Sequence, residues 1–193
     1  DRASIPNKPL FLHPEEYAGR TSAQRIQEVR DRLKGQGANA TIITMVDELA
    51  WVFNIRGYDV SYNPVAMGFG YIGEKEAILF VLPEKVTPEV RDQLTKNGIH
   101  IKPYTEIDSF IKSLPSDIRL LIDTKRITHR LFSQIPDHCR KIFGVSVLTQ
   151  LKAIKNDTEL SNLRKVMARD GVALTRFFKW LEEALQRGET YTE

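Results

Sequence analysis

Between Ala40 and Thr149, short β-branched or apolar runs alternate with segments that read as helices. That alternation constrains the fold more than any other feature of the chain. Strands are expected at 40–46, 65–72, 76–82, 99–103, 118–123 and 144–149, and helices at 23–34, 47–54, 87–97, 105–114 and 128–134. Such alternation predicts an α/β fold, a sheet with helices on both faces. The runs at 65–72 and 76–82 are joined by Gly73-Glu74-Lys75, a hairpin signal, so a mixed sheet is expected.

Local signals mark the element ends. Ser22 is placed to cap the helix at 23–34, whose apolar face is Ile26, Val29 and Leu33. Asp47 is read as the cap of the next helix, with Leu49, Val52 and Phe53 at helical spacing. Thr87 caps a third helix, Pro88 opens it, and Asn97-Gly98 closes it. Ahead of these, residues 1–21 read as an extended lead-in, because Pro6, Pro9 and Pro14 lack amide donors and disfavour helix before them. Residues 22–150 then form the main domain.

The last helix differs in kind. Asn156 caps it, Glu159 follows three residues later, and the pattern runs to about Arg187. Leu160, Leu163, Met167, Leu174, Phe178 and Leu181 form one stripe, with Gly171 in its middle. Such a helix is long beside a mean of about 11–12 residues. Residues 151–193 are therefore expected to open a second domain. The stripe is expected to dock on a second copy, making a homodimer, or to fray beyond its first turns.

Composition narrows the function classes. A net charge of +3 is too small to imply a nucleic-acid or membrane partner. Residues 111–156 hold nine Lys/Arg against three Asp and no Glu, read as a solvated surface balanced elsewhere in the fold. Only Phe132 and Phe143 interleave those bases. Cys139 is the single cysteine, which fits a reducing, cytoplasmic compartment and an inert buried thiol. No apolar run approaches the roughly 20 residues of a membrane span, and the start carries no signal-peptide pattern. The start at Asp1 and the polar end at Glu193 both read as cut from something longer.

Catalytic chemistry is not found. His13, His100, His129 and His138 fit no metal-ligand spacing, so neither a catalytic nor a metal site is expected in this chain. Gly68-Phe69-Gly70 lies in a strand pattern and reads as a place of close packing or a bulge. Asp47-Glu48 reads as acid at a helix N-terminus. Arg56, Asp59 and Asn63, beside the Gly57 corner and Pro64, are the site candidates. Arg56 and Asp59 either pair locally and shape the loop, or Arg56 presents its planar fork to the carboxylate of a ligand.

The block Asp47-Glu48-Leu49-Ala50-Trp51-Val52-Phe53-Asn54-Ile55-Arg56-Gly57, with Asp59 and Tyr62-Asn63-Pro64-Val65, resembles the middle domain of three-domain Xaa-Pro aminopeptidases. These belong to the creatinase/prolidase group of pita-bread metallopeptidases. Leu151-Lys152-Ala153-Ile154-Lys155-Asn156 is similar to the passage into their catalytic domain, and the resemblance covers nearly the whole chain. It implies a parent that removes the N-terminal residue before proline, using two divalent ions, usually manganese. The family's two Asp, one His and two Glu ligands map onto no residue here. The resemblance thus implies a non-catalytic domain that walls the substrate cleft, supports assembly and packs beside the rest of the parent chain. Proline-containing peptides are the implied substrates. A related pita-bread region in histone chaperones, which binds peptides without cleaving them, is the alternative.

Overall fold

The computed structural model describes residues 4–192. Its strands are β1 Phe11–Leu12, β2 Ala40–Ile43, β3 Ile55–Arg56, β4 Phe69–Gly73, β5 Ala77–Val81, β6 Ile99–Pro103, β7 Arg119–Ile122 and β8 Arg140–Phe143. The helices are α1 Glu15–Ala18, α2 Ser22–Gly35, α3 Val46–Val52, α4 Pro88–Lys96, α5 Ile107–Lys112, α6 His129–Phe132, α7 Val147–Ala153 and α8 Asp157–Gln186. Two compact units divide the chain, one closing at Ile154 and the other opening at Lys155.

In the first unit β6-β5-β4-β2-β7-β8 form one sheet. Only β4 runs antiparallel to its neighbours, so the sheet is mixed as expected. The period-2 alternation of buried strands sends successive side chains to opposite faces. Ala77, Leu79 and Val81 of β5 join one core with α2, α3, α4 and α7. Ile78 and Phe80 join the other with α5 and α6. Both faces are therefore covered by helices.

The glycines before the hairpin let that packing close. A Cβ on Gly70 would stand 3.0 Å from Ile43 Cδ1 and from Phe53 Cε2. One on Gly68 would stand 2.8 Å from the carbonyl oxygen of Phe80. No side chain fits at either place without displacing a neighbour.

Several expected boundaries are corrected. The cap of α2 is Thr21, in a reciprocal capping box with Gln24, and Ser22 is the first helical residue. α3 begins at Val46, so Asp47 lies inside the helix and does not cap it. The lead-in is not wholly extended: it holds α1, and β1, which pairs antiparallel with β3. No strand forms at 144–149: its second half opens α7, and the last strand is β8, at the sheet edge. Ser146 turns the chain into that helix by accepting the amide of Thr149, and Val147 and Leu148 are buried in the core beneath.

The second unit is dominated by α8. Asn156 and Glu159 close a capping box at its start. Its Val166, Met167, Leu174, Phe177, Phe178 and Leu185 are half or more exposed, or nearly so. At its far end Trp180 packs against Tyr191, 4.8 Å between ring centres, and the Glu189 amide returns to the carbonyl of Ala184. Among the described residues no helix is long and apolar enough to cross a membrane.

Candidate functional site

The loop from Gly57 to Met67 leaves β3 and returns to the start of β4. Its ends touch: a Cβ on Gly57 would lie 2.9 Å from Ala66 Cβ, so only glycine permits the closure. The Asp59 amide donates to the Val65 carbonyl at 3.2 Å, and the Met67 amide donates to Asp59 Oδ2 at 2.6 Å. Within the loop the Asn63 amide donates to the Val60 carbonyl, and the Val65 amide to that of Asn63. The result is a compact closed loop, a type that is frequently functional.

An internal ion pair fixes it from below. Lys85 Nζ binds Asp59 Oδ2, and both side chains are 0% exposed. Asp59 Oδ1 is buried and accepts no hydrogen bond among the described residues. The Lys85 carbonyl also accepts the Leu10 amide, so one residue joins the lead-in and the loop to the end of β5.

The expected pairing of Arg56 with Asp59 is therefore corrected. Arg56 Nη1 donates to the carbonyls of Ala50 at 2.7 Å and Ile55 at 2.9 Å, while the carboxylate of Asp59 is taken by Lys85. Asn63 stands exposed in the loop between Tyr62 and Pro64. The three candidates share one corner of the unit, but Arg56 and Asp59 bind different partners there.

Behind this corner, Arg25 of α2 is 1% exposed. Its Nη1 donates to Asn54 Oδ1 at 2.8 Å and to the Trp51 carbonyl, and its Nη2 to the Ala18 carbonyl at 2.9 Å. The guanidinium also lies 4.6 Å from the centre of the Trp51 ring, a cation–π distance. Asn54 holds a left-handed φ of 49° and donates Nδ2 to the Arg20 carbonyl, so the network sets the turn from α3 into β3.

A second polar cluster sits at the carboxyl ends of β2 and β7. Chain order reverses there, since β4, β5 and β6 build one side of β2 before β7 and β8 build the other. Open α/β sheets bind ligands at such a crevice. Here the chain's own groups occupy its inner part: Glu48 accepts from Ser146 Oγ at 3.2 Å and from Thr149 Oγ1, with Arg126 Nη1 at 3.5 Å. Asp123 accepts the Ser146 amide and stands 3.5 Å from Arg126 Nε. The cavity left among them is about 20 Å³, room for about one water.

The neighbouring Asp47 forms an ion pair with Lys152 of α7. Partial burial pushes its carboxyl upward, but the Lys152 hydrogen bond and charge, with the amides of Asp47 and Glu48, outweigh this and hold it below the usual range. A depressed carboxyl contributes stability above its unfolded pKa and loses it as pH falls through the folded one. The melting temperature of wild type should thus exceed that of Asp47→Asn at pH 7, and the gap should close below about pH 4. A gap unchanged between pH 7 and pH 3 would exclude this linkage.

The family profile for the Creatinase/Prolidase N-terminal domain matches residues 1–159. The chain belongs to the creatinase/prolidase N-terminal domain family. It is 36% identical to the "Probable Xaa-Pro aminopeptidase P" of Sordaria macrospora over 95% of this chain and 31% of that protein. The like-named protein of Coprinopsis cinerea is 33% identical over 100% of this chain and 33% of its own length. This chain thus spans about a third of the curated relatives it matches. Among solved structures it is similar to the X-prolyl aminopeptidase of Caenorhabditis elegans, a cytosolic enzyme with a di-nuclear active site. There the TM-score is 0.90 at 29% identity, over 100% of this chain and 32% of that one. The N-terminal domain of a FACT complex subunit from chickpea shares the fold, with a TM-score of 0.60 at 12% identity over 89% of this chain and 47% of that one.

Among the described residues no three His, Cys, Asp or Glu side chains converge as a metal site would need. These residues do not fit a two-metal centre. Cys139 is buried, and burial raises its thiol pKa, which disfavours the nucleophilic thiolate.

Proposed function

We propose that this chain is the non-catalytic domain, with the opening of the catalytic domain, of a metal-dependent Xaa-Pro aminopeptidase. In this reading 1–21 is the link from a preceding domain, 22–150 the non-catalytic domain and 151–193 the entry to the catalytic one. The longer protein releases the N-terminal residue preceding proline, in the cytosol, with two divalent ions, manganese by the family resemblance, bound outside this chain. The observation that carries the proposal is the TM-score of 0.90 over the whole chain with an X-prolyl aminopeptidase. The closed loop bearing Arg56, Asp59 and Asn63 is assigned to the wall of the substrate cleft. Its firm internal anchoring suits a surface that must hold its shape against a substrate. The unit also supports assembly with the rest of the protein. A histone-binding role is not favoured, because the likeness to the chickpea FACT subunit, at 12% identity, supports the fold alone.

The test is hydrolysis of a peptide with proline second, such as Arg-Pro-Pro, by the full-length protein. The expected result is release of the first residue, abolished by a chelator and restored by Mn²⁺, with no turnover by the 193-residue chain alone. A full-length protein that cleaves Ala-Ala bonds as readily as Ala-Pro bonds, or keeps its activity in chelator, would overturn the reading.

A further inference from the structure

Nine large hydrophobic residues of the first unit are exposed among those described, and Phe11, Tyr58, Val60, Tyr62 and Met67 are five of them. Four lie on the Gly57–Met67 loop, and the fifth, Phe11, stacks on Tyr58 with ring centres 5.1 Å apart. The loop and its partner strand thus carry more than half of the exposed large hydrophobic residues of this unit among those described.

Tyr62 stands out within it. Its φ is 62°, in the left-handed region that glycine adopts freely and a tyrosine does not. It is the third residue of the turn closed by the Asn63 amide and the Val60 carbonyl. Holding a side-chain residue there costs about 1–2 kcal/mol. The ring returns none of that to the core, because Tyr62 is fully exposed, at 107% of its reference area. Strain held by an over-determined frame is a mark of functional positions. The frame here is the buried Asp59–Lys85 pair and the Gly57–Ala66 contact, so the backbone that carries the ring is held in advance of any encounter.

We propose that Tyr62 is a substrate-docking residue whose ring stacks on the proline-containing N-terminal segment of a peptide. The inference rests on the aminopeptidase reading and deepens it. Proline is rigid, apolar and already restricted in φ, so binding it costs little conformational entropy, and aromatic surfaces are its usual docking partners. A tyrosine ring supplies contact area while ordering only two side-chain torsions. The Tyr58–Phe11 stack and Val60 add apolar surface on the same loop and its partner strand. Loss of the ring weakens substrate docking and leaves the reacting groups, which lie outside this chain, unchanged.

The experiment is steady-state hydrolysis of Arg-Pro-Pro by the full-length protein carrying Tyr62→Ala, Tyr62→Gly or Tyr62→Phe. Tyr62→Ala and Tyr62→Gly are expected to raise KM about 3- to 10-fold with kcat within about twofold, the range that loss of one aromatic stack gives. Tyr62→Phe restores KM, since the ring and not the hydroxyl makes the contact. Tyr62→Gly should also raise the melting temperature, because glycine relieves the left-handed backbone; this separates a docking defect from a collapsed loop. Unchanged KM in both ring-less variants of an active enzyme overturns the inference and leaves the aminopeptidase reading standing. A lowered melting temperature and lowered kcat with unchanged KM overturns it too, because the ring then packs against another part of the protein. A wild type without prolyl specificity overturns both.

Discussion

Replacing Lys85 by alanine is expected to lower the unfolding free energy of the chain by about 3–5 kcal/mol, the cost of breaking a buried pair. The pair is wholly internal, with both side chains 0% exposed, and Asp59 Oδ1 already goes without a donor among the described residues. Removing the ammonium leaves a carboxylate inside the protein with the Met67 amide as its remaining partner. Asp59→Ala should cost less than this, because Lys85 has a flexible stem that can move its charge toward water. Coupling Asp59→Leu with Lys85→Met should recover part of the loss, since apolar replacements remove both desolvation costs, but not all of it, because the Met67 amide still loses its acceptor. Urea unfolding measures the first effect, and hydrogen exchange at Asn63 and Val65 measures the loosening of the loop. A Lys85→Ala loss under about 1 kcal/mol would mean that the pair is not holding the loop.

Nothing local in the sequence marks that pair. Lys85 follows Pro83-Glu84 at the end of a strand, where lysine is nearly always solvated, and its partner lies 26 positions back. Asp59 was legible as a loop residue needing a cation, and Arg56, three residues away, was the nearest one. The real choice was made by tertiary packing, which brings the turn after β5 under the loop. The strand expected at 144–149 failed for a similar reason. Val145-Ser146-Val147 reads as β-branched strand, but Ser146 and Thr149 bind Glu48, 98 and 101 residues distant, and those bonds favour the helical turn. Glu48 was visible only as acid in a first helical turn. The mixed sheet was legible because its information is local: the hairpin signal, the continuous apolar run of β5 and the Thr87-Pro88 cap all agree on one structure.

Tyr62 belongs to the Tyr62-Asn63-Pro64-Val65 run but carries no signal of its own. A left-handed tyrosine cannot be read from residue type, because the statistics of turns point to glycine or asparagine at that position. Asn63 is the neighbour that such statistics would choose. The strain becomes visible only once the backbone is seen, and it is the strain together with full exposure that separates Tyr62 from an ordinary surface aromatic.

Arg25→Met is expected to destabilise the chain by about 3 kcal/mol or more, since buried acceptors left unpaired cost about 1–3 kcal/mol each. The acceptors include the carbonyls of Trp51 and Ala18 and the Asn54 side chain, at 2.5, 2.9 and 2.8 Å. Arg25 precedes Val29 by one helical turn, so it lies at the edge of the Ile26–Val29–Leu33 face, and that spacing could have marked it for burial. Arg25→Lys is expected to cost nearly as much as Arg25→Met despite keeping the charge. Three acceptors in different directions suit a planar fork, and a lysine ammonium would have to reach them from a single point. The consequence reaches the lead-in, because the same network holds the carbonyls of Ala18 and Arg20. Amide protection at Tyr17 to Gly19 should therefore fall before that of β5. Urea unfolding followed by Trp51 emission, in a Trp180→Phe background so that one indole reports, measures the loss directly. Arg25→Lys at wild-type stability would show that charge alone suffices and that the fork geometry does not hold the corner between α3 and β3.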